Sequence, residues 1–502
     1  MLLFSKIKYV AKLVLPVMMV LWISFHAGAQ EILTLNKAIG IAETGSPDLR
    51  RSLLNLERYQ KNLEAQRAAL KSHFSLDISP VRFSRNRRFD TRVSEWYTNE
   101  NFETNALFRV EQPILLTDGT LSLTNEFGWQ RSYSDAAVTN PESKVFFNNL
   151  YLNFNQPIFT YNRLDLELNE LELNFENANI SYALQHLNLE RNVTEFFYNV
   201  YMAQMNLNIA KEELENTRNS YDIISNKVEA GLAAKEELYQ AELNLSTSKS
   251  TVQNREVTLE NAKDQLKLYL GMDLYKDFSI LADIGLNPVE ADLDKAIENG
   301  LESRMELRQR EIDIESSQFE MIRTKSLNEF EGEINLRLGI SGDNPDLDQI
   351  FDAPTNSPSV GVSFSIPLFD WGEKKARIAA QEAAIQSEKL NLDEERKQII
   401  IGIRQAYRNL QNQLNQIEIA EQSQNNAQLT YEINLERYEN GDLTSMDLNL
   451  FQTQLSEKKF AYIQALINYK IELLNLKIQS LYDFEKDQPV VPRELYKNEN
   501  NK

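Results

Sequence analysis

Apolar side chains recur every three or four residues along two long stretches of the sequence, and this spacing predicts long amphipathic helices. Residues 162–230 contain neither proline nor glycine. After the glycines at 231 and 441 the spacing becomes a heptad repeat. The heptad positions are Leu238, Leu245, Val252, Leu259 and Leu266, and then Leu448, Leu455, Tyr462, Tyr469 and Leu476. Such long helices must pack against one another as hairpins, because none can cover its own apolar stripe.

A second pattern, the alternation of apolar and polar residues, predicts strands. It covers residues 334–340, 360–366 and 150–154. Between the first two lies a segment rich in Asp, Asn, Pro and Ser, residues 342–358, which predicts a hairpin loop. Alternating segments of this kind are typical of outer-membrane barrel strands, which turn apolar side chains to lipid and polar ones to a lumen. Any half-exposed strand also alternates, so each segment alone is weak support.

The sequence also repeats itself at a fixed offset of 210 residues. The matched pairs include Pro157/Pro367, Phe159/Phe369, Tyr221/Tyr431, Gly231/Gly441 and Leu245/Leu455. Because the register holds over more than a hundred residues, we expect one supersecondary unit that is used twice. Each unit reads as a strand, a very long helix, a glycine turn and a second long helix.

The N-terminal segment has the features of a secretory signal. Lys6, Lys8 and Lys12 precede an apolar run that ends near Phe25, and small residues follow at 27–29. This order predicts a signal peptide over residues 1–29 and a mature chain from Gln30. The alternative, a retained membrane anchor, is less favoured because the apolar run is short for a bilayer. Further along the sequence, no apolar stretch is long enough for a membrane helix.

Composition narrows the classes of partner. Removal of the signal leaves 50 basic and 74 acidic residues, a net charge of −24 that argues against nucleic acid and anionic lipid head groups. The chain has no cysteine, which excludes a disulfide framework and a lipid-modified N-terminal cysteine.

Catalytic chemistry has little support in the sequence. The mature chain has two histidines, His73 and His186, and neither has the spacing of a metal ligand. No glycine-rich phosphate loop is present. We therefore expect no enzyme activity, no cofactor and no metal site, and we expect most carboxylates to lie on solvated helix faces.

In three motifs the chain resembles the TolC family of outer-membrane efflux and secretion channels. A proline, at Pro157 and Pro367, ends the second strand of each half. The family's helical-tip motif is an aromatic or basic pair, then a glycine, then an acid six residues after the glycine. It occurs twice, from Lys227 to Glu237 and from Arg437-Tyr438 to Asp447. The opening motif Leu35-Asn36-Lys37-Ala38-Ile39 recurs as Leu293-Asp294-Lys295-Ala296-Ile297. The resemblance extends from residue 33 to residue 481.

The resemblance implies a mixed α and β membrane protein. In such a homotrimer, each protomer gives about four strands to a shared β-barrel and its helices to a long periplasmic α-helical barrel. The implied organisation is a first repeat at 30–270, an equatorial connector at 271–292, a second repeat at 293–482 and a flexible periplasmic tail at 483–502. Four strands cannot close a barrel alone, so a single protomer should not be stable in lipid.

One departure is a longer first half. The opening motifs are offset by 258 residues and later ones by 210, so the first half carries 48 extra residues between about 74 and 151. This surplus contains Gln112-Pro113-Ile114 and a turn signal at 117–119, which predict an added β-hairpin. We expect it to form a longer loop above the membrane. The alternative, two more barrel strands per protomer, stays open.

The helical tips are the candidate functional site. Gly231 and Gly441 permit the positive φ of a tight reversal, and the resemblance implies that tips of this kind receive a periplasmic adaptor. The expected docking residues are Ala230, Gly231, Leu232, Asn440, Gly441 and Asp442. The expected entrance residues are Glu237 and Asp447, because three copies would set the acids in cation-selective rings. The resemblance adds Tyr438, which matches a tyrosine of the family's constriction.

The tips also depart from the family pattern. The second acid of the family's selective pair is Leu450 here, and the family's arginine two residues after the glycine is Leu443. The strength of selectivity and the contacts of the closed state must therefore differ.

The resemblance implies the exit duct of a tripartite efflux pump in the outer membrane of a Gram-negative bacterium. Its expected partners are an adaptor, an inner-membrane pump acting through that adaptor, and outer-membrane lipid. The expected cargo is small molecules such as drugs or metal ions. The alternative is the duct of a type I protein secretion system, and a structural coiled-coil envelope protein is a more remote one.

Overall fold

The computed structural model of the chain describes residues 31–91, 94–135 and 141–490. The predicted signal peptide at 1–29 and the end of the predicted tail, from residue 491, lie outside these residues. The chain divides into two compact units. Among the described residues, unit 1 comprises residues 31–52, 182–304 and 397–490, and unit 2 comprises residues 53–91, 94–135, 141–181 and 305–396. Each unit therefore combines segments from both halves of the sequence.

Eight α-helices lie in the described residues, and four of them form the two long pairs that the heptads predict. Their bounds are α1 Leu35–Gly45, α2 Pro47–Ala69, α3 Arg163–Glu229, α4 Lys235–Leu270, α5 Leu293–Ser303, α6 Met305–Ser326, α7 Glu373–Asn440 and α8 Ser445–Ser480. None of these helices, within the described ranges, has an apolar stretch long enough to cross a membrane.

Strands occur in one large sheet and two small ladders. Their bounds are β1 Glu31–Leu33, β2 His73–Asp90, β3 Glu95–Ile114, β4 Gly119–Ser134, β5 Glu142–Ile158, β6 Phe278–Ile280, β7 Glu331–Asn344, β8 Thr355–Asn356, β9 Ser359–Ser365, β10 Tyr482–Asp483 and β11 Gln488–Pro489. In unit 1, β1 pairs in parallel with β6, and β10 pairs with β11.

The large sheet belongs to unit 2 and contains six main antiparallel strands in the order β2-β3-β4-β5-β7-β9. The short β8 also pairs with β7. The strands predicted at 150–154, 334–340 and 360–366 are confirmed as parts of β5, β7 and β9. The expectation of about four strands per chain is wrong for this sheet, because the surplus in the first half adds two.

The extra strands lie within the sheet rather than in a loop beyond it. β3 and β4 pair without a break from Asn99↔Ser134 to Ile114↔Gly119. Their connecting turn is fixed beside the start of α3, where Arg163 forms an ion pair of 2.8 Å with Asp118. The expectation that the surplus forms a loop is therefore wrong, because these residues are paired as strands of the sheet. That the two added strands belong to a barrel stays a prediction.

The two faces of the sheet differ sharply in polarity. Because side chains alternate along each strand, the register places one set of apolar residues together across all six strands. They include Leu76, Ile78, Phe108, Leu121, Leu123, Leu150, Leu152, Leu336, Leu338, Val360 and Val362, all of which are exposed. We call this set the apolar face.

The opposite face is polar and carries its own hydrogen bonds. Asn105 Nδ2 donates to Glu126 Oε1 at 2.9 Å, and Asn155 Nδ2 donates to Glu333 Oε1 at 2.5 Å. The Arg337 guanidinium lies 3.7 Å from the centre of the Tyr151 ring. These contacts join neighbouring strands, so the polar face is stabilised as a connected layer.

The core of unit 1 follows the predicted helical stripe. Val193, Phe197 and Val200 on α3 are each at most 1% exposed. They belong to one cluster with Leu266 of α4 and Phe278 of β6. Burial of this stripe is the reason that such long helices are stable, since propensity alone contributes little.

Candidate gate and docking site at the hairpin tips

Both long helix pairs reverse through the same type of backbone turn, and both turns lie in unit 1. Gly231 and Gly441 have φ values of +74° and +89°. The N–H of each glycine bonds to a carbonyl three residues back, and the next N–H bonds to one five residues back. This pattern is a Schellman motif, which satisfies the last carbonyls of a helix and needs a left-handed residue that glycine supplies without strain.

The predicted docking residues are exposed at these reversals. Ala230, Asn440 and Asp442 are all exposed, and Leu232 is 79% exposed. A Cβ atom built on either glycine would meet nothing within 4 Å. The two tips, residues 230–232 and 440–442, therefore present open surface with little side-chain packing of their own.

The predicted entrance acids lie just beyond the tips, at the starts of α4 and α8. Glu237 and Asp447 occupy the first turns of these helices. Asp447 is exposed, its N–H donates to Thr444 Oγ1 at 3.2 Å, and its carboxylate accepts from the same hydroxyl at 2.7 Å. Helix N-termini favour negative charge, so both carboxylates complement the dipoles of the helices that they begin.

Tyr438, the third predicted entrance residue, lies inside the packing and not on an open surface. It is 1% exposed, and its hydroxyl donates to the Ser220 carbonyl oxygen at 3.0 Å. Burial, followed by the nearby charge of Glu237, raises the pKa of Tyr438 to about 12. The phenol therefore remains a donor at physiological pH and links α7 to α3.

Lys227 is a functional candidate that the sequence reasoning did not single out. Its Nζ donates to the Tyr438 carbonyl oxygen at 2.7 Å and lies 5.2 Å from the centre of the Tyr438 ring. Two contacts from one ammonium to one residue hold the first hairpin, α3–α4, against the second, α7–α8. In the sequence, the signal that could have identified Lys227 is its position in the repeated tip motif.

A buried polar layer lies further from the tips, and the sequence reasoning also missed it. Gln452 Nε2 donates to the Glu213 carbonyl oxygen at 2.7 Å and to Thr217 Oγ1 at 3.2 Å. Thr217 also shares a hydrogen bond of 3.2 Å with Ser248. The signal was a glutamine four residues after Leu448, at a heptad position where a core side chain is expected. We call Gln452, Thr217 and Ser248 the polar layer.

The predicted strand-ending prolines lie in unit 2, away from the tip residues in sequence. Pro157 is the second-last residue of β5 and pairs with Glu333, whereas Pro367 follows the end of β9 by two residues. Pro113 occupies the matching place in β3. Proline cannot donate to a ladder, so its place at strand ends is the expected one.

A metal site has no support in the described ranges, where no group of three or more His, Cys, Asp or Glu side chains could hold an ion. The candidate site therefore consists of two exposed tips, two acids behind them and a set of hydrogen bonds that joins the hairpins. Such an arrangement can bind a partner and attract cations.

The sequence profile described as outer membrane efflux protein (OEP) matches residues 120–272 and 330–478, more than half of the chain. The cation efflux system protein CusC of Escherichia coli (strain K12) is 24% identical over 213 residues, 42% of this chain and 45% of that protein. The chain thus spans about half the length of the sequence relatives it matches.

Solved structures show a similar fold over most of the chain. The CmeC outer membrane channel of Campylobacter jejuni matches with a TM-score of 0.67 at 17% identity, covering 92% of this chain and 88% of that one. The open state of the MtrE outer membrane channel of Neisseria gonorrhoeae matches with a TM-score of 0.63 at 14% identity, covering 90% of each. At such low identity the likeness shows the fold alone.

Proposed function

The chain belongs to the outer membrane efflux protein family, and we propose that three copies form the exit duct of a tripartite efflux pump. The sheets of the copies together form a β-barrel in the outer membrane of a Gram-negative bacterium. The long helix pairs form a periplasmic tunnel to which residues 30–270 and 293–482 contribute as two equivalent repeats. A periplasmic adaptor connects this tunnel to an inner-membrane pump.

The apolar face is the observation that carries this proposal. Soluble monomers rarely expose apolar patches larger than a few hundred Å², whereas this face extends across six strands. Within it, Asn125 and Asn148 are paired by a hydrogen bond of 2.6 Å, which suits two amides that lipid cannot satisfy. An apolar exterior and a hydrogen-bonded polar interior are the requirements for a water-filled membrane barrel.

The tips then have two roles in the proposal. Residues 230–232 and 440–442 receive the adaptor, because they are exposed and identical in backbone geometry. Asp447 and Glu237 line the periplasmic entrance and attract cations. Tyr438 and Lys227 hold the hairpins in the closed arrangement, and an open duct requires their contacts with the neighbouring hairpin to break.

We propose small molecules or metal ions as the cargo. One relative is named a cation efflux system protein, and the acids behind the tips suit positively charged cargo. Nothing in the described site favours an unfolded protein chain over a small solute.

The test separates membranes on a density gradient and examines the natural protein in each fraction. We expect it in the outer membrane as a trimer that resists detergent and dissociates on heating. Recovery from the soluble periplasm would favour a coiled-coil envelope protein and contradict the duct.

A variant that lacks the tip contacts, Tyr438→Phe with Lys227→Met, should conduct ions in a planar bilayer more often than the natural protein.

A further inference from the structure

The large sheet of unit 2 has two open edges. One edge is β2, from the first half of the sequence, and the other is β9, from the second half. Within the described residues, β2 pairs only with β3, and the outer edge of β9 has no partner. Unpaired N–H and C=O groups along a strand cost several kcal/mol each in lipid, so neither edge can face a membrane. Each edge therefore needs a strand from elsewhere.

The two edges match each other in polarity. Each carries three alternating apolar residues on the apolar face, and these are more exposed than Leu121 and Leu152 of the central strands, which are 38% and 39% exposed. The triplets are Phe74, Leu76 and Ile78 on β2, and Val360, Val362 and Phe364 on β9. The additional exposure arises because each edge strand lacks a neighbour on one side.

Strand direction also matches. The edges are the first and the last of six antiparallel strands, so β2 and β9 run in opposite directions. A second copy placed beside the first would continue the antiparallel order without a break. Because apolar side chains must stay on one face, residues 74, 76 and 78 must pair with even-numbered residues of β9, such as 360, 362 and 364.

From these features we infer that β9 of one copy pairs with β2 of the next, with Val362 beside Leu76, and that each copy gives six strands to the barrel. This inference rests on the proposed function. The other occupant, β4 of the next copy, would give the four strands per chain that the family resemblance implies. In the structure β3 already covers that edge of β4 through 16 consecutive residue pairs, so the edge is not free.

The consequence is a wider barrel. Three copies of six strands give eighteen, in the range of porins that enclose an aqueous channel. With strands about 4.8 Å apart and tilted by about 40°, the backbone diameter is about 36 Å, against about 24 Å for twelve strands. The inference thus makes a prediction about size as well as about contacts.

The absence of native cysteine makes the pairing directly testable by cross-linking. We expect Leu76→Cys with Val362→Cys to give disulfide-linked trimers on oxidation, because directly opposed residues lie within disulfide reach. The matched control is Asp77→Cys with Val362→Cys, which places the two thiols on opposite faces and should not cross-link. Phe74→Cys and Ile78→Cys, each combined with Val362→Cys, determine the register of the two strands. A cross-link from Val362→Cys to position 74, 76 or 78 supports the pairing.

The rival arrangement has its own variant, Leu123→Cys with Val362→Cys, which links β9 to β4 of the next copy. A cross-link there, or none at β2 in a trimer that forms normally, overturns the six-strand interface and leaves the duct intact. Failure of the natural protein to form any trimer overturns both proposals. End-on electron cryomicroscopy images of the natural protein in nanodiscs provide a second measurement, since barrels of about 36 and 24 Å are easily distinguished.

Discussion

At the scale of single residues, two glycines bring backbones into direct contact. A Cβ atom on Gly271 would lie 2.0 Å from the carbonyl oxygen of Gly45, and one on Gly45 would lie 2.5 Å from that of Leu270. Gly271 also has a φ of +68° at the end of α4. The end of α1 can therefore approach the end of α4 only because both residues lack a side chain.

Gly271→Ala should destabilise the protein by more than its backbone angle alone explains. A positive φ costs a non-glycine residue about 1 kcal/mol, and displacement of packed backbone adds about 1–3 kcal/mol. Gly231→Ala is the matched control, since its φ is +74° but its Cβ would meet nothing within 4 Å. Thermal melts followed by circular dichroism in detergent measure both variants, and equal shifts in midpoint would show that the close contact has no energetic weight.

At the scale of elements, the face of each strand decides the effect of a charge. Leu336→Arg places a cation on the apolar face of β7, at a cost of about 2–4 kcal/mol near the middle of a bilayer. Asn335→Arg adds the same charge to the polar face one residue earlier and should be tolerated. The yield of heat-dissociable trimer in outer membranes measures the difference. Similar yields for the two variants would mean that the apolar face does not contact lipid.

The elements also show what the sequence can and cannot predict. Heptads predicted the long helices because burial of a stripe depends on local spacing, and alternation predicted β5, β7 and β9. The added hairpin was also predicted, because Gln112-Pro113-Ile114 at the end of β3 repeats Gln156-Pro157-Ile158 at the end of β5. Its place in the sheet was not favoured, since β2 interrupts its alternation with an irregularity between Ser79 and Arg82 and with several arginines.

At the scale of the whole molecule, a trimer would bring the three copies of Asp447, one from each chain, close to a common axis. Asp447→Asn keeps the hydrogen-bonding shape of the side chain but removes its charge, so it should weaken block by divalent or trivalent cations and lower cation preference. Glu237→Gln should do so less, and Glu457→Gln, ten residues further along α8, should do neither. Single-channel recording with cations added on the periplasmic side measures these effects, and an unchanged block in Asp447→Asn would contradict the acidic entrance.

For the candidate site, the sequence indicated where the tip glycines and acids lie along the helices, but it did not indicate which side chains contact one another. The exposed tips and the acids behind them follow from glycine and a short motif, which act locally. The burial of Tyr438 and its bonds to Ser220 and Lys227 depend on how two hairpins more than 200 residues apart pack together. No single-helix pattern contains that information.

The polar layer has a consequence for how the hairpins can move. Sliding α8 along α3 by one turn, about 5.4 Å, would separate Gln452 from both of its acceptors and leave buried polar groups unpaired, at about 1–3 kcal/mol each. A small rotation of α8 about the line through Gln452 keeps these bonds while it swings residues 440–442 outward. We therefore expect the hairpins to rotate about the polar layer, so that the tips separate by tilting rather than by translation.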